Sequence, residues 1–362
     1  MTVVSSPAVV SPVIPRLDEP QIVTVHTLDG IQLYQFLPEQ QFTLSWSRDL
    51  RDTSRCELDA PPDPKFDPSI DIIPWLHWVS VWNMSGTDLL WTGPVQKVVA
   101  SRRALSISAR DASALTSRTR TPVTKAWDAA DASLIAGELW DMLIALHGLK
   151  THAIRRVDPD GDPFDYHLAA GESMLEDTIK DLEGLGLRWT VVAGTPILGP
   201  APKAPVVALG ENDFLDDVSL TVDGSGTFND VLLRGGDALA HAHVELAGLN
   251  LQTIVHVDDM FGVSNVDRAT YQSARHTAKI RYSLALPSGV TLHPEAPLSL
   301  DQLIPSSRFV ISAFGLRFLM ELESVTRSYS SGDASVQVTM DSVNDEIPEL
   351  LEKTTRQLGL TQ

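Results

Sequence analysis

Four aspartates near the middle of the chain have the residue types of a calcium-binding loop. They are Asp158, Asp160, Asp162 and Asp165. Carboxylate oxygens at alternate positions are the ligands with which such loops begin. However, Pro163 occupies the position that needs glycine for the sharp turn, and Ala169 occupies that of the bidentate acid. The pattern therefore favours a solvated turn, with calcium binding as the alternative.

Other metal ligands are few. His241 and His243 alternate in a predicted strand, which would place two imidazoles on one face, but no further ligand stands at a recognisable spacing. Cys56 is the only cysteine, so an internal disulfide and a cysteine-based metal cluster are both excluded. We interpret the histidines as surface residues and Cys56 as a small buried hydrophobe. The sequence therefore predicts no metal and no cofactor.

Nothing in the sequence commits the chain to catalysis. It contains no G-x-S-x-G, H-E-x-x-H, P-loop or G-x-G-x-x-G motif. Gly224-Ser225-Gly226 predicts a β-turn, because a nucleophile elbow requires a strand, a turn and a helix in that order. Carboxylates are too numerous for a glycosidase pair to be chosen among them. We therefore predict no enzyme.

Several tryptophans in the first third of the chain could form a sugar-stacking platform. They are Trp75, Trp78, Trp82 and Trp91. Packing in a core or an interface is the favoured alternative, because these residues lie inside strand patterns.

The charge of the chain excludes one class of function. With 28 Lys and Arg against 47 Asp and Glu, the formal net charge is −19, so general neutralisation of duplex DNA phosphates is excluded. The charge is also uneven: 206–264 has ten acids and one base, whereas 101–120 has five arginines and one acid. The predicted helix 265–281 is basic as well. Segments of opposite net charge favour chains that pack against copies of themselves, because an acidic segment of one copy attracts a basic segment of another.

The elements that must position these residues are mainly strands. From Gln21 to about Ala112, alternation such as Phe42, Leu44 and Trp46 predicts a compact antiparallel barrel or sandwich of roughly six strands. A proline-rich loop, 61–74, interrupts the strands.

Between Thr121 and Pro205 the period becomes helical. Asp131 predicts a helix cap, with Gly148 as the stop, and Ser173 with Glu176 predicts a capping box. The apolar face of the first helix is predicted to carry Ile135, Leu139, Leu143 and Leu146. Short strands near 166–168 and 187–192 make this an α+β insert.

From Val206 strands return, with predicted strands at 218–222, 231–234, 243–246 and 253–257. A helix is predicted from Ser264 to about Tyr282, followed by a strand at 308–313. Stretches 95–115 and 317–343 share one pattern: each predicts a strand, a polar turn and a second strand with alternating side chains, followed by an aspartate. This shared pattern suggests a repeated domain.

The first twenty residues predict an extended arm. No run approaches the 18 or more apolar residues of a membrane span, so no membrane insertion is predicted. Pro7, Pro12, Pro15 and Pro20 interrupt the apolar residues and no basic region precedes them, which argues against a signal peptide. An extended arm needs support, and a neighbouring chain is the expected one.

The order of short motifs along the chain resembles that of minor tail proteins of siphophages that infect actinobacteria. The motifs are Trp46-Ser47-Arg48, Asp52-Thr53-Ser54, Trp91-Thr92-Gly93-Pro94-Val95, Ala109-Arg110-Asp111, the segment Gly171 to Trp189, and Leu300 to Pro305. The resemblance covers roughly Gln21 to Asp345. Each motif is short, and their order and spacing carry the comparison.

The resemblance implies a tail-tip or baseplate hub that is mainly β, with two antiparallel β-barrel tube domains and smaller α+β domains. The implied domains are an arm at 1–20, a first barrel at 21–115, an insert at 116–205, a second barrel at 206–345 with an insertion at about 261–299, and a tail at 346–362. It implies a homotrimer whose six barrels join a sixfold tail tube to a threefold tip.

The same resemblance implies partners and roles for the charged segments. Partners would be the distal tail or tail-tube adaptor protein, the C-terminus of the tape-measure protein and other tail-tip proteins, in a virion assembled in the host cytoplasm. DNA would pass through without specific binding. Candidate channel-lining acids are Glu211, Asp213, Asp216, Asp217, Asp223 and Asp230. Candidate subunit-interface bases are Arg102, Arg103, Arg268, Arg275 and Lys279.

Two competing hypotheses stay open beside the structural hub. One is a module that binds host-surface glycan through the tryptophans or the insert. The other is a tail-associated cell-wall hydrolase, which no motif supports.

Overall fold

The computed structural model describes residues 17–62, 71–157, 163–200, 202, 204–235, 238–256, 270–271, 274, 277–278, 281–330 and 332–343. The chain forms two compact units. The larger unit holds the described residues up to Asp217, together with Leu286–Ser312 and Leu319–Asp341. The smaller unit holds the described residues of Val218–Ala285 and Ala313–Phe318.

Seven strands open the larger unit. They are β1 (Gln21–Thr27), β2 (Gln32–Phe36), β3 (Thr43–Asp49), β4 (Arg55–Ala60), β5 (His77–Asn83), β6 (Leu89–Ala100) and β7 (Leu105–Arg110). The sequence predicts roughly six. The seventh escapes prediction because β2 is largely exposed and carries no clean apolar alternation.

An α+β insert follows, as predicted. Its elements are β8 (Lys125–Ala130), α1 (Ala132–His147), β9 (Ile154–Arg155), β10 (Phe164–Leu168), α2 (Leu175–Gly184), β11 (Trp189–Val192) and β12 (Thr195–Leu198). A 3₁₀ helix, Ala112–Arg118, connects β7 to this insert. Its core contains the buried faces of α1 and α2.

Ten further strands complete the described chain. They are β13 (Ala208–Gly210), β14 (Ser219–Asp223), β15 (Asp230–Gly235), β16 (Ala238–His243), β17 (Gln252–His256), β18 (Arg281–Ala285), β19 (Val290–Thr291), β20 (Arg308–Ala313), β21 (Leu316–Ser330) and β22 (Asp333–Ser342). In the smaller unit, β16-β15-β17 and β14-β18 form two small sheets.

One sheet of twelve strands organises the larger unit. Its order is β13-β20-β21-β3-β4-β7-β6-β5-β1-β2, with β22 paired to β21 and β19 paired to β22. The pairing of β21 with β3 joins the late strands to the early ones. Within the described residues the path ends at β13 and β2 and does not close on itself. The predicted mainly β class is confirmed. The two stretches with the same predicted succession of elements, 95–115 and 317–343, which we call the echoed stretches, each contain an antiparallel hairpin.

Alternation of side chains explains how the first strands use their two faces. Leu44 and Trp46 of β3 are buried, as predicted. In β1, Val23 and Val25 are fully buried in the same core, whereas the residues between them face the other side of the sheet.

The helix caps of the insert are partly as predicted. Asp131 accepts a hydrogen bond from the backbone N–H of Ser133 at 2.8 Å, and Gly148 ends α1 in the left-handed region with φ 65°. Leu146 is wrong as a core residue, since it is 66% exposed in the last turn of the helix. The capping box is also wrong: α2 begins after Met174 without any side-chain cap.

Two predicted boundaries in the smaller unit are wrong. The strand expected at 243–246 lies at Ala238–His243, because the chain turns where Leu249 donates its N–H to the carbonyl of Leu246. The helix expected to reach Tyr282 stops earlier, because Arg281–Ala285 pairs with β14 as a strand. Thr270, Tyr271, Ala274 and Thr277 are helical, as expected. No helix in the described part of the chain is long and apolar enough to cross a membrane.

Gly93 gives a sharp test of the packing between β6 and β7. A Cβ added there would overlap the carbonyl oxygen of Arg110. We expect Gly93→Ala to lower the free energy of unfolding by about 3 kcal/mol, because backbone rather than a flexible side chain must move. The measurement is denaturant-induced unfolding of the purified chain.

The matched control is Gly184→Ala at the exposed end of α2, where an added Cβ meets nothing within 4 Å. We expect this control to unfold at the wild-type denaturant concentration or slightly above it. Equal stabilities of the two variants would contradict the packing argument.

Candidate functional site

Arg48, from the Trp-Ser-Arg motif, is a buried cation that binds backbone carbonyls. Its Nη1 donates to the carbonyls of Leu300 and Leu303 at 2.7 and 3.2 Å, and its Nη2 donates to that of Leu90 at 2.9 Å. Its guanidinium also lies over the Trp46 ring, 5.2 Å from the centroid. Burial lowers the pKa of Arg48 to about 10, so the side chain stays protonated at neutral pH.

Asp111, from the Ala-x-Asp motif, ties two loops together. Its Oδ2 accepts from the N–H of Ser54 at 2.9 Å, and its Oδ1 accepts from the N–H of Ser113 at 2.8 Å. The Ser113 hydroxyl donates to the same Oδ1 and lies 2.8 Å from the Thr53 hydroxyl. The motif Asp52-Thr53-Ser54 therefore meets the motif that ends in Asp111, and both serve packing.

The candidate acids divide between the two units. Glu211, Asp213, Asp216 and Asp217 belong to the larger unit, and Asp223 and Asp230 belong to the smaller one. Glu211, Asp216, Asp217 and Asp223 are exposed, Asp213 is half-buried and Asp230 is buried.

Three of these acids have specific local roles. Asp213 accepts from the N–H of Gly210 at 2.7 Å, and Asp216 accepts from the N–H of Thr291 at 2.7 Å. Asp223 accepts from the N–H of Ser225 at 2.8 Å, within the predicted β-turn.

Asp230 lies beside both histidines that the sequence singles out. Its carboxylate is 2.8 Å from Nε2 of His241 and 3.8 Å from Nδ1 of His243, while Glu245 lies 4.0 Å from Nε2 of His243. Both histidines therefore share one face of β16. No group of three or more His, Cys, Asp or Glu among the described residues has the arrangement of a metal site.

The candidate bases are only partly described. Arg102 and Arg103 are exposed in the turn between β6 and β7. Arg268, Arg275 and Lys279 lie outside the described residues. The same holds for Asp158 to Asp162 of the candidate calcium loop, whereas Asp165 accepts from the N–H of Ala129 at 2.8 Å.

The four tryptophans do not form one platform. Trp91 is buried in the core of the first strands and Trp78 packs in the core of the insert. Trp75 is half-buried, with the Arg118 guanidinium 5.6 Å from its ring. Trp82 is half-buried, and its Nε1 donates to the Thr24 hydroxyl at 3.0 Å. Packing accounts for three of the four, as favoured, because Trp75 also packs against the core of the insert, and it leaves Trp82 on a different surface.

That surface is a groove of about 630 Å³ inside the larger unit. It lies between the outward face of β1, β5 and β6 and two turns of the insert, at 149–151 and 193–195. On its floor, His26 Nε2 lies 2.7 Å from the Ser80 hydroxyl, which lies 2.8 Å from the Thr92 hydroxyl. Sequence reasoning missed this groove. Its one signal is the alternation of Thr24 and His26 with buried valines in β1.

The pair of His26 and Ser80 lacks the other parts of a nucleophilic site. The distance of 2.7 Å suits a base and a hydroxyl nucleophile. However, β5 is paired with β1 on one side and β6 on the other, so the backbone around Ser80 is engaged in the sheet. An oxyanion hole needs backbone N–H groups that point at the reacting carbonyl. We therefore treat the groove as a binding surface.

The buried Asp111 predicts a specific pH dependence of stability. Burial raises its pKa from 3.8 to about 6, although hydrogen bonds from Ser113 and Ser54 act in the opposite direction. Between these values the folded chain keeps a proton that the unfolded chain has lost. The contribution of Asp111 to the free energy of unfolding therefore falls as pH rises through this window, by at most about 3 kcal/mol.

The test compares denaturant unfolding of wild type and Asp111→Asn from about pH 4 to pH 7. The difference in stability between them should change over this window, because the variant has no titrating group at this position. Asp52→Asn, at an exposed carboxylate of the neighbouring turn, should follow the wild-type curve. Parallel curves for wild type and Asp111→Asn would contradict the prediction.

Solved structures similar to this chain include phage tail proteins. The 43 kDa tail protein of prophage MuSo2 from Shewanella oneidensis is 15% identical, with a TM-score of 0.55 over 89% of this chain and 98% of that one. The tail protein from Neisseria meningitidis MC58 is 13% identical, with a TM-score of 0.54 over 90% and 97%.

A chain of the half-lidded Francisella PdpA–VgrG complex is 6% identical, with a TM-score of 0.50 over 90% of this chain and 58% of that one. No protein-family model matches the sequence, and no curated protein matches it. The likeness is therefore one of fold. The chain has the fold of the two phage tail proteins along nearly its whole length, which confirms the resemblance to phage tail proteins at the level of fold.

Proposed function

We propose that the chain is a structural hub of a phage tail tip and not an enzyme. The observation that carries the proposal is the match to two tail proteins over nearly the full length of both partners. The motifs behind the sequence resemblance agree with it, because Arg48 and Asp111 are buried and bind backbone groups. Such residues hold a scaffold in shape, and neither is accessible to a substrate.

We further propose that three copies form a ring of six barrels that joins a sixfold tail tube to a threefold tip. Support comes from the two echoed hairpins, β6–β7 and β21–β22, which lie in the same twelve-stranded sheet. Two similar modules per chain and three chains give six positions, which is what a threefold tip needs to meet a sixfold tube. A sheet with open ends at β2 and β13 also offers edges to a neighbouring copy.

The exposed acids are proposed to line the channel through which DNA leaves. Glu211, Asp216, Asp217 and Asp223 are all exposed, so their charges can repel phosphate and let DNA slide without sticking. Asp213 and Asp230 contribute less, since one is half-buried and the other is buried against His241.

The exposed pair Arg102 and Arg103 is proposed to contact a neighbouring subunit or the tail-tube adaptor protein. We extend this role to Arg268, Arg275 and Lys279 from their sequence alone. Further proposed partners are the tape-measure protein C-terminus and other tail-tip proteins.

The hub proposal is tested by mass in solution and by symmetry in electron microscopy. We expect the full chain, alone or mixed with its tail-tube neighbour, to form particles with threefold symmetry and a central opening. Zymography on bacterial cell walls should show no clearing. A monomer that stays a monomer in the presence of its tail partners, or clear cell-wall hydrolysis, would overturn the proposal.

The channel proposal is tested by reversing charge at the four exposed acids. We expect virions that carry Glu211→Lys, Asp216→Lys, Asp217→Lys and Asp223→Lys together to release DNA more slowly, because phosphates would bind the lumen. Release is followed by the fluorescence of a DNA-binding dye after ejection is triggered.

The matched control changes net charge by the same amount at exposed acids elsewhere. It carries Glu39→Lys, Asp128→Lys, Glu172→Lys and Asp333→Lys. We expect this control to eject DNA at the wild-type rate. If the channel variant and the control variant ejected DNA at equal rates, the position of the four acids would not matter, and the channel proposal would be wrong.

A further inference from the structure

We propose that the groove between the first strands and the insert binds a neutral saccharide. The groove has a volume of about 630 Å³ and lies entirely within the larger unit. Ligand sites for small molecules occupy roughly 300–1,000 Å³, so the space suits a short oligosaccharide. This inference is independent of the hub proposal, since it rests on the lining of one groove in one chain.

The charges around the groove select a neutral ligand. Its lining has no Asp or Glu, although the chain contains 47 of them, so a cationic ligand would find no counter-charge. Lys150 is the one lysine or arginine in the lining, and its Nζ lies 3.3 Å from Oδ1 of Asp29. An anionic ligand such as a nucleotide would therefore meet a cation that already has a partner.

The aromatic lining supplies an apolar face. Trp82 and Trp78 both line the groove, and Trp82 is the more exposed of the two. The hydrogen bond from Trp82 Nε1 to Thr24, at 3.0 Å, fixes the orientation of the indole ring. A half-buried aromatic ring with a fixed orientation suits the C–H face of a sugar, which combines apolar patches with hydroxyls.

Polar groups beside the tryptophans select a ligand with hydroxyls. On the floor, His26, Ser80 and Thr92 form a chain of hydrogen bonds that leaves the surface polar. At the rim, Gln32 and Gln35 are exposed or half-exposed, and their amides lie 3.4 Å apart. These amides offer both donors and acceptors. The floor side chains already have hydrogen-bond partners, so the rim amides are the groups that an aliphatic ligand would leave unpaired and that a sugar can bind.

The groove is built for binding and not for cleavage. Glycoside hydrolysis in its common forms needs two carboxyl groups that flank the scissile bond. No carboxylate lines the groove. A bound saccharide is therefore expected to dissociate without being hydrolysed.

The experiment is a titration of the full chain with chitotriose and with maltotriose, followed by intrinsic tryptophan fluorescence and saturation-transfer NMR. A trimer of galacturonic acid serves as the charged probe. We expect at least one neutral trisaccharide to bind and the charged trimer to bind more weakly. Trp82→Ala should weaken binding roughly tenfold through loss of the stacking surface.

Two further variants make the result decisive. Trp75→Ala removes a tryptophan outside the groove and should keep wild-type affinity. The double variant Gln32→Ala/Gln35→Ala changes only the rim and should weaken binding without changing the thermal unfolding midpoint. The proposal is overturned if neither neutral trisaccharide binds at about 10 mM, if Trp75→Ala and Trp82→Ala lose affinity equally, or if the charged trimer binds as tightly.

Discussion

The buried guanidinium of Arg48 is the interaction on which the larger unit depends. A cation removed from water needs compensation, and here its hydrogen bonds go to the carbonyls of Leu90, Leu300 and Leu303, while the Asp301 carboxylate adds an attraction. These carbonyls belong to segments more than 200 residues apart in the chain. One side chain from β3 therefore holds the start of β6 and the turn at 300–303 in a single arrangement. Binding three carbonyls from one side chain requires a planar group with several N–H donors, which arginine has.

The same principle recurs at other joints of the unit. The fully buried Arg327 in β21 donates to the carbonyl of Glu19, just before β1 begins. Asp111 reverses the roles, since its carboxylate accepts from backbone N–H groups of Ser54 and Ser113. These three long-range joints thus combine an ionised side chain with backbone groups, and such bonds are stronger than those between neutral groups.

Local rules predict local structure well in this chain and miss what tertiary packing decides. Alternation predicted β3, and Asp131 with Gly148 predicted both ends of α1. The edge strand β2 was missed and the capping box predicted at Ser173 and Glu176 is wrong, because burial and pairing override weak propensities. The groove escaped for a related reason. Its lining comes from β1, β2, β5, β6 and two turns of the insert, and no single stretch of sequence contains that combination.

These observations explain how 15% identity can accompany one fold over nearly the whole length of two chains. Strand alternation requires only apolar character, and many residues satisfy it. Some positions do require one residue type, among them an arginine that reaches three carbonyls, an aspartate that accepts from two loops, and a glycine at the close approach to Arg110. Exposed acids and groove residues lie outside this set. Surface charge and groove lining can therefore change while the fold persists.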